Sequence, residues 1–147
     1  IRHQNQKINL SNEEMVQEVS SRRNLLEKSL RTLTRNVLKI SLGSTKATSA
    51  VVAAVPESRR ASFAGANINH LLDRDKSPLF FLELINLIKR EWASFEKSLE
   101  TDKTKFIIML EEINQYGRPE AHAKNLTKDE FTQLRLYFNK LDTILDS

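Results

Sequence analysis

An apolar stripe running through Leu26, Leu30, Leu33, Val37 and Ile40, in steps of three and four, constrains this chain more than any other feature. A strand alternates its faces every two residues. Steps of three and four gather side chains on one side of an α-helix instead. Met15 and Val19 extend the stripe toward the N-terminus. Ser11 opens it with Glu14 three residues on, the pattern of a capping box, and Gly43 closes it. The spacing predicts one long helix over residues 11–43 with a single buried face. Such a face needs partners to cover it.

Further stripes supply them. Ser77-Pro78 has the form of a cap followed by proline, and the apolar series Phe81, Leu84, Ile85, Ile88, Trp92, Phe95 and Leu99 follows. A break near Thr101-Asp102 leads to Phe106, Met109, Leu110, Ile113 and Tyr116, with Gly117 as the stop. Thr127 and Glu130 form a second capping box before Phe131, Leu134, Phe138, Leu141 and Leu145. The middle is ambiguous. Residues 47–55 are small and β-branched and suit either a short helix or an extended segment. Pro56 fits the first turn of a helix running toward Leu72, and residues 71–76 read as a loop. Glycine and proline number only 3 each, which favours helices over a turn-rich sheet protein. The expected fold is all-α, a compact bundle of about four to six helices. A length of 147 residues fits one domain, spanning 11–147. The polar residues 1–10 read as an arm or linker from an upstream part of a longer protein, in keeping with a start at Ile1 rather than methionine.

Several chemistries are excluded. With no cysteine there is no disulfide, thiolate nucleophile or cysteine-based zinc site. That composition suits a reducing compartment, and the expected location is cytoplasmic. No apolar run approaches the ~20 residues of a membrane span. Histidines at 3, 70 and 122 are too scattered for a ligand set, and the isolated glycines form no phosphate loop. A net charge of +4 and a pI near 9.4 permit contact with phosphate backbones.

One segment can carry chemistry. Gly117 frees the backbone, Pro119 disfavours a helical Arg118, and Arg118, Glu120, His122 and Lys124 follow in close order before the last helix. Histidine moves the proton of a 2′-hydroxyl near neutral pH, and arginine holds a phosphate and stabilises charge on its oxygens. Neither metal nor cofactor is required. The structural alternative is plain: a histidine at a helix junction more often caps or packs, and Glu120 and Lys124 are spaced as an ordinary i,i+4 pair.

The segment resembles the RNxxAH motif of HEPN domains. Its surroundings agree: Glu27-Lys28-Ser29-Leu30-Arg31-Thr32-Leu33 is similar to the E-x-x-LR-x-L opening of the HEPN variant appended to transcript-surveillance endoribonucleases and bacterial defence ATPases. The helix at 79–95, with Trp92 and Phe95, is similar to that variant's W-x-x-F helix, and Ala121-His122 and a capped final helix follow. The likeness covers roughly residues 23–146. It implies a helical domain that homodimerises, joins an arginine and a histidine from each subunit into a metal-independent ribonuclease site, and belongs to a larger RNA-processing or anti-phage defence protein. His122 then takes the role of general acid or base. In strict register Gly117 stands where the family has its arginine, and Arg118 falls at the asparagine position. Either Arg118 reaches the phosphate from one residue further on, or the domain is a catalytically inactive module for dimerisation or docking. RNA would be held by basic residues among Arg22, Arg23, Arg31, Arg35, Arg118, Lys124 and Lys128, with Lys124, Glu120 and Arg31 nearest the substrate. Tyr116 and Phe138 sit on apolar stripes and read as core rather than as base-stacking rings.

Overall fold

A computed structural model describes residues 9–118 and 126–146. Helices are the regular structure among the described residues, and none of these residues is in a strand. Ser11 caps α1 (Asn12–Leu42) through the reciprocal box: Glu14 N–H donates to Ser11 Oγ at 3.1 Å, and Ser11 N–H donates to Glu14 Oε1 at 2.9 Å. This helix of 31 residues is about 46 Å long at the ordinary helical rise. Met15, Val19, Leu26, Leu30, Val37 and Leu38 bury its apolar face. Ile40 departs from the expected stripe and is 88% exposed. Leu38 takes the inward position there, because a helix advancing 3.6 residues per turn carries a strict three-four count off its face.

Gly43 ends α1 at φ 79°, a backbone that side-chain-bearing residues rarely adopt. The chain reverses there into α2 (Ser44–Ala54), which resolves the ambiguous middle as helix and buries Ala47 and Val51. Pro56 stands just before α3 (Glu57–Arg60), but no continuous helix reaches Leu72. A 3₁₀ turn (Ala61–Phe63) and the short α4 (Ile68–Leu71) replace it, the latter capped by the Asn67 side chain. Leu71 and Leu72 are fully buried. The Asp73 carboxylate then accepts the N–H groups of Asp75 and Lys76, which holds it below its ordinary pKa.

Ser77-Pro78 does not start the next helix. Ser77 Oγ donates to the Leu71 carbonyl at 2.6 Å and accepts from Leu79 N–H at 3.2 Å, so it tethers an extended segment. The helix α5 (Phe81–Arg90) begins three residues later, where Glu83 accepts the Phe80 N–H at 2.9 Å. Phe81, Leu84, Ile85, Leu87 and Ile88 bury it. The single helix expected over 79–95 is divided at Glu91, after which α6 (Trp92–Phe95) turns Trp92 onto Phe95 and Phe106. Asp102 caps α7 (Lys103–Tyr116), and Thr127 and Glu130 form the expected box ahead of α8 (Lys128–Asp146).

The helices share one apolar core. α1 packs against α2, α5, α6 and α8, while α7 lies between α5 and α8. Leu10 is half-buried against that core, whereas residues 1–8 of the expected arm lie outside the described residues. No described helix is long and apolar enough to cross a membrane.

Polar contacts stitch α1 to α8. Arg135 grips Glu18 through two bonds of 2.8 and 2.7 Å, and Arg22 reaches Asn139 and Asp142 at 3.0 and 2.8 Å. The Arg135 hydrogen bond holds the Glu18 carboxyl below its usual pKa of 4.5. A depressed carboxyl stabilises the fold above the unfolded-state pKa, and that contribution fades as pH falls through the folded value. Glu18→Gln is therefore expected to lower stability at neutral pH by up to about 1 kcal/mol, since the pair is partly exposed. In urea unfolding the difference from wild type should shrink as pH drops below 4.5. A difference constant with pH would mean that the ion pair contributes nothing.

Candidate nucleic-acid interface

Three arginines, two from α1 and one from just beyond α7, line one open cleft of about 620 Å³. Arg23 and Arg31 lie eight residues apart on α1 with Glu27 between them, a row of i,i+4 positions down one flank of the helix. The segment 77–82 forms the facing wall, and Asn114 and Arg118 close the cleft from the end of α7. The wall is fixed by the Ser77 bonds and by Arg59, which donates to the Pro78 carbonyl at 2.8 Å.

The arginines are not equivalent. Arg31 donates to Glu27 Oε2 at 2.7 Å and to the Arg74 carbonyl at 2.9 Å. Arg23 donates to Asn114 Oδ1 at 3.1 Å and lies 4.8 Å over the Phe81 ring. These contacts orient both guanidinium groups. Arg118 is exposed and makes no ion pair or hydrogen bond to another described residue. Its planar fork of donors matches the geometry of an oxyanion, and two oriented cations line the same cleft. Three guanidinium groups against the single carboxylate of Glu27 leave the lining net positive.

Of the sequence-derived candidates, the structure brings Arg23, Arg31 and Arg118 together. Arg22, Arg35 and Lys128 do not line the cleft, and Arg22 is committed to α8. His122, Glu120 and Lys124 lie outside the described residues. Phe138 is core, but Tyr116 is not: it is 40% exposed and borders a separate hollow with Glu112, Asp129 and Glu130, whose carboxylates repel phosphate. Sequence reasoning missed Phe80, Leu82 and Asn114. Phe80 and Leu82 did leave a signal, being apolar residues out of phase with the stripe that buries α5.

Gly117 has a structural reason to be glycine. It sits at φ −93°, so no left-handed turn calls for it. The constraint is space: a Cβ would stand 2.5 Å from the Ile113 carbonyl oxygen and 3.3 Å from Val19 Cγ1. The tightest approach is to the backbone of α7 itself, with Val19 of α1 also close, so any side chain at 117 forces the helix end to shift.

Among the described residues no cluster of three or more His, Cys, Asp or Glu could hold a metal ion. The fold and cleft define an all-α bundle with a basic groove. Compared with known proteins, the chain matches no family model, no curated protein and no solved structure. The likeness to HEPN domains therefore stands on the residues quoted for it.

A long side chain placed at position 117 tests the packing there. Gly117→Arg should lose about 1–3 kcal/mol in chemical unfolding through overpacking, whereas Arg118→Ala, at an exposed site, should stay within about 0.5 kcal/mol of wild type. A Gly117→Arg variant as stable as wild type would show that the end of α7 shifts without cost to make room for the side chain.

Proposed function

We propose that this chain is the RNA-contacting domain of a HEPN-type ribonuclease, or of an effector derived from one, within a larger RNA-processing or anti-phage defence protein. One observation carries the reading: Arg31 and Arg118, chosen from two separate motif-like stretches, line the same basic cleft. Phosphate oxygens of the RNA backbone are the ligand this chemistry suits, held by Arg118 and by the field of Arg23 and Arg31.

Cleavage in this reading needs no metal. The 2′-hydroxyl of a nucleotide attacks the adjacent phosphorus and the bond to the 5′-oxygen breaks. His122 relays the proton, and Arg118 stabilises the charge that builds on the non-bridging oxygens. Dimerisation, as in the family, supplies the second arginine–histidine pair. Glycine in strict register favours a second reading, in which the domain keeps the RNA-binding or docking surface and has lost catalysis.

Cleavage of a labelled structured RNA in the presence of a chelator separates the two. The ribonuclease reading expects chelator-resistant cleavage that falls at least about 100-fold in His122→Ala and in Arg118→Ala. Cleavage that persists in His122→Ala would sink the catalytic assignment. Salt-sensitive RNA binding without cleavage would leave the docking module, with a log–log slope of roughly −0.7 for each phosphate contact.

A further inference from the structure

Phe80 is out of step with everything that buries α5. Its neighbours Leu79 and Phe81 are buried, yet Phe80 is 61% exposed on the rim of the arginine cleft. A solitary exposed aromatic is ordinary on a protein surface and calls for no explanation. This ring, however, is held in place. It lies 4.1 Å from the Arg59 guanidinium carbon, and that guanidinium is itself locked. Arg59 Nε donates to Glu83 Oε2 at 2.6 Å, while Nη2 donates to Glu83 Oε1 at 3.0 Å and to the Pro78 carbonyl at 2.8 Å. Glu83, only 5% exposed, also accepts the N–H of Phe80 itself. The same carboxylate thus fixes both the backbone of Phe80 and the cation beneath its ring.

Phe80 lines the cleft together with Arg23, Arg31 and Arg118, beside the 49% exposed Leu82. A rigid aromatic surface next to a basic groove is the arrangement that holds an unstacked base while its phosphates are gripped, because every base offers a π-face. A ring oriented beforehand loses little freedom when a base settles on it.

We infer that Phe80 is the stacking surface for an unpaired base of the RNA whose phosphates the arginines hold. The inference rests on the phosphate-binding reading and adds a base-dependent component to it. Phe80 is a binding residue in this role, with no part in proton transfer.

The test compares the affinity of a short oligoadenylate with that of a ribose-phosphate chain of equal length lacking bases, by fluorescence anisotropy in chelator at fixed salt. The oligoadenylate should bind about tenfold more tightly to the wild type. Phe80→Ala should erase that preference, Phe80→Trp should keep it, and Arg118→Ala should weaken both ligands alike. Equal affinity of the wild type for both chains would overturn the stacking role and leave the phosphate grip standing. Failure of both chains to bind would overturn the phosphate grip, and the stacking role with it. Sedimentation of the same proteins covers the other occupant. A Phe80→Ala variant that changes oligomeric state, while keeping the base preference, would make the ring a self-association contact and refute the inference.

Discussion

The buried face of α1 is the constraint on which the rest of the molecule depends. A helix of 31 residues with an apolar stripe along most of its length cannot be covered by one neighbour of ordinary size. Here several elements share the task. Gly43 folds α2 back along the C-terminal half, α5 and α6 pack alongside, and α8 covers the N-terminal half. Ion pairs from Glu18 and Arg22 set how α8 lies on it. Hydrophobic burial supplies the stability, and these partly exposed polar contacts select the register.

The cleft follows from the same packing. Arg23, Glu27 and Arg31 occupy the flank of α1 next to its buried face, so whatever packs on that face brings its ends close to them. The entry to α5 and the exit of α7 both arrive there. The cleft is therefore a place where one helix side meets two helix ends, and its walls are tied to the core. Glu83 shows this most clearly, since a single buried carboxylate caps α5, secures Arg59 and so positions the lip of the groove.

Much of the architecture was legible in the sequence because it was written in periodicity and caps. The Ser11–Glu14 and Thr127–Glu130 boxes lie where the spacing placed them, and Asp102 marks the start of α7. Legibility failed where local chemistry competed with the pattern. Ser77-Pro78 has the composition of a cap, but the Ser77 hydroxyl is drawn to the Leu71 carbonyl and the helix waits for Glu83. The break at Glu91 is invisible in an apolar series that continues through it. In the cleft, Arg31 and Arg118 had been singled out in the sequence, whereas Phe80 left only its out-of-phase position, since its contact with Arg59, 21 positions away, is encoded by no local pattern.

The close approach at Gly117 has a consequence for how this sequence can change. The atom that would obstruct a side chain there is a main-chain carbonyl oxygen of α7 itself. An obstructing side chain can be trimmed by a second substitution elsewhere, but the carbonyl of a helix cannot. Position 117 thus admits a larger residue only if the end of α7 itself shifts, a cost that no substitution on α1 removes. The guanidinium groups at this end of the bundle come instead from Arg23 on α1 and from Arg118, one position further along the chain.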